Sequence, residues 1–252
     1  MGVRVSVVVA ACLAAPLIAS AAPTPDPDTI LKKAYEDYRS QSSQSSVAMT
    51  IHRPAWERHL ELKAWTRGED DALVRFTAPA KEAGSATLKV GRDTWVYNPR
   101  LNQVIKLPAS MMSQAWMGSD FSYDDLAKST DIITDYTHRL AGVSQVEGGH
   151  SAWTIEAMPK PGAPVVWGKI AIVVRDDYVL LGQTFFDQDM KPARRMTAGK
   201  VGIIAGRPYP VSLTMTPLDQ PGQWTRTDTV DAKFNAALPP WLFTLSNLQN
   251  PR

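Results

Sequence analysis

The side chains that could hold a metal, move a proton or attack a carbonyl are few in this chain, and their spacing serves none of those tasks. The four histidines, His52, His59, His138 and His150, form neither an H-x-x-x-H nor an H-E-x-x-H pattern, which excludes a zincin-type metal site. The sequence contains no G-x-S-x-G elbow, no P-loop and no G-x-G-x-x-G turn, so the common nucleophile and nucleotide signatures are missing. His59 falls on the charged face of a predicted strand and reads as a solvated residue. Asp120, Asp124 and Asp125 make the densest acidic group. Paired carboxylates can do acid–base work or bind calcium, but this spacing fits no EF-hand loop. It predicts instead an N-cap at Ser122, with Asp124 and Asp125 in the first helical turn beside the positive end of the dipole. No catalytic residue, metal or cofactor is expected, and the chain reads as a non-enzyme.

Binding chemistry is better represented. Between Pro108 and Lys128 the chain packs Met111, Met112, Trp116, Met117, Phe121 and Tyr123 into one short stretch, followed by Leu126. Methionine is flexible enough to fill an irregular or changeable apolar space. Such a stretch either plugs a core or closes over an apolar ligand. The Gly118-Ser119 pair divides it into two short helices, as a hinged lid would need. Trp95 and Tyr97 lie two apart and so share one side of a strand, either as core or as an aromatic wall of the same cavity. The candidate ligand-binding set is therefore Trp95, Tyr97, Met111, Met112, Trp116, Met117, Phe121, Tyr123 and Leu126.

The elements that must position these residues are mostly strands. The chain has 252 residues, 44% hydrophobic and 21% charged, with a net charge of +2; no basic block is long enough to suggest a nucleic-acid partner. Residues 1–22 combine a basic start at Arg4, an apolar run from Val5 to Ile18, and the small residues Ala19-Ser20-Ala21-Ala22. That layout predicts a secretory signal peptide and a periplasmic protein. Cys12, the only cysteine, lies inside the apolar run; a lipidated Cys12 is the competing reading, whereas ordinary cleavage leaves neither disulfide nor thiol chemistry. Residues 23–252 are expected to form one domain. Pro23 to Asp28 reads as a linker, Asp28 as the N-cap of a helix reaching about Arg39, and Ser40 to Ser46 as a polar break. From Val47 onward, alternation such as Leu60, Leu62, Ala64 and Ala72, Val74, Phe76 predicts about a dozen short strands separated by tight turns. Turns this short favour antiparallel hairpins. So many strands in one sheet must curl, leaving a concave apolar face to be covered by the N-terminal helix and the Met/Trp segment.

Several stretches together resemble the LolA-like family of exported outer-membrane lipoprotein-sorting proteins. They are Lys63-Ala64-Trp65-Thr66-Arg67-Gly68, Leu73-Val74-Arg75-Phe76, Pro79 and Gly84, Asp93-Thr94-Trp95-Val96-Tyr97-Asn98-Pro99, and Trp116-Met117-Gly118-Ser119-Asp120-Phe121-Ser122-Tyr123-Asp124-Asp125-Leu126. The resemblance implies a mainly β fold: a curved antiparallel sheet forming an incomplete half β-barrel, with an N-terminal helix and a short helical lid over its concave apolar face. It also implies a carrier or chaperone for lipoprotein acyl chains, lipids or another hydrophobic ligand, with an inner-membrane exporter or an outer-membrane acceptor as partner. The arginine through which the well-studied carrier engages its membrane partner has no matching position here, so the motifs point to a fold branch and to no particular cargo. A sensor or interaction module bound to a membrane protein is the second reading of the same fold.

Overall fold

The computed structural model describes residues 25–127 and 131–252. The predicted signal peptide, Cys12 and Lys128 lie outside the described residues. The first helix, α1 (Pro27–Arg39), is capped by Asp26, whose carboxylate accepts from the Thr29 amide at 3.0 Å. The cap is Asp26 and not the expected Asp28, because Pro27 at the first helical position has a fixed φ and needs no hydrogen-bond partner for its nitrogen. One face of α1 buries Ile30, Leu31, Ala34 and Tyr35.

Thirteen strands follow. Six precede the Met/Trp segment: β1 (Ser42–Arg53), β2 (Trp56–Arg67), β3 (Asp71–Ala78), β4 (Ala86–Val90), β5 (Asp93–Asn98) and β6 (Gln103–Lys106). Seven come after it: β7 (Tyr136–Gln145), β8 (Ser151–Pro159), β9 (Lys169–Arg175), β10 (Leu180–Phe186), β11 (Pro192–Ile204), β12 (Arg207–Pro217) and β13 (Trp224–Phe234). The polar stretch Ser40–Ser46, expected as a break, lies largely inside β1. Both edges of β1 are occupied here, Ser43 pairing with Thr66 of β2 and with Phe234 of β13. Ladder bonds on two sides override weak propensity; Ser43 and Thr66 also join hydroxyls at 2.7 Å.

All thirteen strands form one antiparallel sheet in the order β6-β5-β4-β3-β2-β1-β13-β12-β11-β10-β9-β8-β7. Two meanders are thus joined at their first and last strands, β1 and β13, and the sheet curves without closing. Its edges, β6 and β7, are consecutive in sequence. The chain between them runs from one edge of the sheet to the other, and so it crosses the open side. That topology makes the Met/Trp segment a cover. Short helices follow its aromatic part: α2 (Tyr123–Ala127) and α3 (Asp131–Thr134). Finally a 3₁₀ turn at Pro240–Phe243 and α4 (Leu245–Gln249) pack on the outer face of β3 and β4.

Candidate functional site

Strand alternation gives the sheet two different faces. From β1, Val47, Met49 and Ile51 point inward and meet Leu60 and Leu62 of β2 and Val74 and Phe76 of β3. From the other half, Ile155, Ile170, Ile172, Val174, Phe185 and Met215 form a second inward cluster, under Ile30, Leu31 and Tyr35 of α1. Between these clusters lies a cavity of about 340 Å³, within the size range of small-molecule sites.

Trp116 is the anchor of the cover. It is 2% exposed, tilts against Phe76 with ring centroids 5.2 Å apart, and donates its indole N–H to the Thr87 hydroxyl at 3.1 Å. The residues after it form a tight loop, with the Trp116 amide bonded to the Phe121 carbonyl at 2.7 Å. Met117 and Gly118 both take positive φ, 53° and 73°, and the loop is held from the sheet. Arg53 bonds the Gly118 carbonyl at 3.1 Å and the Asp120 carboxylate at 3.0 Å, while Arg58 donates to the Met117 carbonyl. Thr225, wholly buried, accepts from the Asp120 amide at 3.0 Å and donates to its carboxylate at 2.6 Å. The expected hinge at Gly118-Ser119 is therefore a pinned left-handed turn. Two arginines and a threonine supply hydrogen bonds that any swing at this point would break.

The expected cap at Ser122 is present. Its hydroxyl accepts from the Asp125 amide at 3.2 Å, and the Asp125 carboxylate accepts from the Ser122 amide at 2.7 Å, a reciprocal capping box. Asp125 also crosses the open side to Arg194 of β11 through two bonds of 2.7 and 2.5 Å. Arg194 in turn lies over the rings of Trp167 and Phe185, at 4.7 and 4.5 Å. One forked ion pair thus ties the cover to the far half of the sheet. Nearby, His138 of β7 contacts Asp28 of α1 and bonds the Ile132 carbonyl of α3 at 2.8 Å, holding both helices to the sheet edge.

Of the nine candidate ligand-binding residues, Trp116, Phe121 and Leu126 line the cavity. Met117 and Tyr123 pack against the same inner cluster without lining it, and Met111 and Met112 are half-buried away from it. Trp95 and Tyr97 do not line this cavity. Their cross-strand neighbours Leu88 and Ala86 share their face, which is the outer one, and there they meet Leu242, Phe243 and Leu248.

Several other lining residues fall outside that candidate set. Tyr35 of α1 is 7% exposed and its hydroxyl accepts from the Gln183 amide of β10; burial holds the tyrosine pKa well above its usual value, so it stays a hydroxyl. Tyr38 stacks on Tyr209 at 5.3 Å. Gln183 is a buried amide in the mainly apolar strand β10, a signal that could have marked the cavity had its face been known. Among the described residues, one group of metal-ligand type comes together, His150, Asp176 and Asp177. Its carboxylates are already engaged: Asp176 by the Ser151 amide at 2.8 Å and His150 at 2.6 Å, Asp177 by Arg175 at 2.7 and 2.8 Å.

The half-barrel fold, with an apolar interior bridged by one segment, recurs in solved structures. A family model described as "-like: Uncharacterized protein" matches residues 68–250. Among solved structures, a DUF1329 family protein from Desulfovibrio piger superposes with a TM-score of 0.80 at 23% identity, over 89% of this chain and 100% of that one. A domain assigned by name to outer membrane lipoprotein sorting, from Vibrio parahaemolyticus, gives 0.77 at 19% identity, over 88% and 98%. A LolA superfamily protein from Nitrosomonas europaea gives 0.72 at 24% identity, also over 88% and 98%. No curated protein matches the sequence. The family model matched over residues 68–250 covers well over half of the chain, which belongs to this family; the solved structures show that its fold is LolA-like. No described helix is long and apolar enough to cross a membrane.

Proposed function

We propose that this protein is a periplasmic, non-enzymatic carrier that encloses an acyl chain, a lipid or the lipid part of a lipoprotein in the half-barrel cavity. The observation that carries the reading is the cavity itself: about 340 Å³ left open between two well-packed apolar clusters, under a segment that topology forces across the open side. A core that size left dry and empty would forfeit contacts on every wall, and an apolar guest restores them at about 25 cal/mol per Å² buried. Trp116, Phe121 and Leu126 form the cover's contribution to the site. Uptake and release proceed by parting Asp125 from Arg194, because the turn at Met117-Gly118 is pinned to the sheet. An inner-membrane exporter or an outer-membrane acceptor would trigger that parting.

The test is native mass spectrometry of protein purified from the periplasm, paired with titration by a fluorescent fatty-acid probe. Co-purifying lipid and saturable probe binding are expected. Protein that carries nothing and ignores the probe sinks the reading.

A further inference from the structure

The two ends of the sheet are finished differently. Where β1 stops and β2 starts, the strands are joined by the turns 54–55, 79–85, 99–102, 160–168, 187–191 and 218–223. Five of these present one large apolar side chain to solvent: Leu101, Val166, Met190, Leu218 and, directly after its turn, Trp56, from 38% to 68% exposed. Prolines stand at 54, 79, 99, 161, 164 and 221. At the opposite end the turns are 68–70, 91–92, 146–150, 176–179 and 205–206. Those hold no proline and no exposed large apolar residue. They carry Glu69, Asp70, Glu147, Asp176 and Asp177 against Arg92, with Asp70, Asp176 and Asp177 paired to Lys89, His150 and Arg175.

The apolar turns form one continuous rim, because each touches the next along the sheet. Arg100 donates to the Lys81 carbonyl at 2.6 Å, and Glu82 pairs with Arg58 of β2 at 3.8 Å. Gly222 lies beside Pro54. The Leu218 amide bonds the Ala193 carbonyl of β11 at 2.8 Å, and Gln188 donates to the Val166 carbonyl at 2.8 Å. The turn backbones also satisfy themselves. The Glu82 and Ala83 amides bond the Pro79 carbonyl at 2.8 and 3.0 Å, Met190 bonds Asp187 at 3.1 Å, and Gln223 bonds Gln220 at 3.2 Å. Charge on the rim balances: Lys81, Arg100, Lys160 and Lys191 against Glu82, Asp187, Asp189 and Asp219.

We infer that this rim docks the protein on a lipid bilayer, with Trp56, Leu101, Val166, Met190 and Leu218 entering the boundary between headgroups and acyl chains. A protein interface gathers its apolar residues into one packed, buried core. Here they stand singly on separate turns, as shallow insertion requires, and tryptophan is favoured at that depth. Insertion strips water from the turn backbone; prolines have no N–H to strand there, and internal bonds answer the amides named above. With no net charge on the rim, the attraction is apolar. Val166 also lines the cavity, so docking sets one cavity wall against lipid. The inference rests on the rim and is independent of the carrier reading.

Flotation of the full protein with vesicles of phosphatidylcholine alone tests this. Binding is expected, equal at low and high salt and not strengthened by anionic lipid. Trp56→Ser and Leu101→Ser should each weaken partitioning about tenfold, the scale of withdrawing one large apolar side chain from lipid. Ile203→Ser removes a 70% exposed side chain of β11 near the opposite end and should leave partitioning unchanged. All three side chains are exposed, so urea midpoints should match the unsubstituted protein. Hydrogen exchange on vesicles should show new protection at 54–56, 99–102 and 187–191 and none at 146–150. Absence of flotation, a requirement for anionic lipid, loss at high salt, or an Ile203→Ser effect as large as that of Leu101→Ser overturns the inference. Binding only to native membranes, abolished when these are treated with protease, overturns it in favour of a protein partner. Fatty-acid probe binding by the same variants reports on the carrier reading separately.

Discussion

The two faces of the sheet carry similar side chains and end in opposite states. On β3, Leu73 faces outward and Val74 inward, one residue apart. The outer face is closed by the chain's own C-terminal turn and α4, whose Leu242, Phe243 and Leu248 fill the space over Leu73, Leu88 and Tyr97. Arg75 fastens that closure by donating to the Asn247 and Leu248 carbonyls at 2.8 and 3.1 Å, and Arg67 lies over the Phe243 ring at 4.6 Å. The inner face is closed by a connection that must reach from β6 to β7 and so bridges instead of filling. Aromatic content alone does not make a binding site. What matters is whether the covering segment is free to settle onto the sheet or is stretched between its two edges.

Substitutions should separate the two faces. Leu248→Ala removes a fully buried side chain from a solid patch and should cost ~3 kcal/mol, lost transfer energy plus cavity, seen as a lower urea midpoint with ligand affinity unchanged. Arg75→Met leaves the last carbonyls of α4 without their donor and should cost ~2 kcal/mol; hydrogen exchange would show early opening of α4 alone. Leu213→Phe, at a cavity-lining position of β12, should change stability by less than ~1.5 kcal/mol because there is room to receive the ring, yet abolish probe binding. If Leu248→Ala weakens binding as much as Leu213→Phe does, the faces are coupled and the comparison fails.

The smallest effect is alkaline. Tyr136, on the inner side, is pushed up to about 12 by burial and then by the carboxylates of Asp124, Asp135 and Asp131. An unfolded tyrosine loses its proton near pH 10. The unfolded chain therefore holds fewer protons above that pH, and stability, full below it, falls as pH rises toward 12. Urea midpoints at pH 9 and 11 should differ by about 1 kcal/mol for this one group, and Tyr136→Phe should reduce the difference. An unchanged slope in that variant would place the alkaline sensitivity elsewhere, for example on Tyr35 or Tyr209, whose pKa values burial also raises.

Much of the fold was legible because it rests on local periodicity. Alternation marked the strands, and short turns marked their antiparallel pairing. Ser122 was legible as a cap because a capping box lies within four residues. Failures arose where a distant partner decides. Ser42–Ser46 is strand because β2 and β13 flank it. Gly118 is rigid because Arg53 and Arg58, some sixty residues earlier in the chain, hold its turn. Trp95 and Tyr97 were placed correctly on one shared face, but which face looks inward depends on the sense of curvature, which alternation does not encode.

The sequence by itself determined the kind of protein this is: a strand-rich chain with a flexible, aromatic segment in its middle, lacking catalytic spacing and resembling the LolA-like family. Hydrophobic alternation and turn residues are local signals, and they act before any long-range contact forms. Only the tertiary structure decided that this segment bridges the sheet's two edges, that Trp116 anchors it, that Asp125 and Arg194 form its tie, and that Tyr35 and Gln183 meet in the cavity wall. Those facts depend on residues brought together from about thirty to a hundred and fifty positions apart, a distance over which spacing along the chain carries no geometric information.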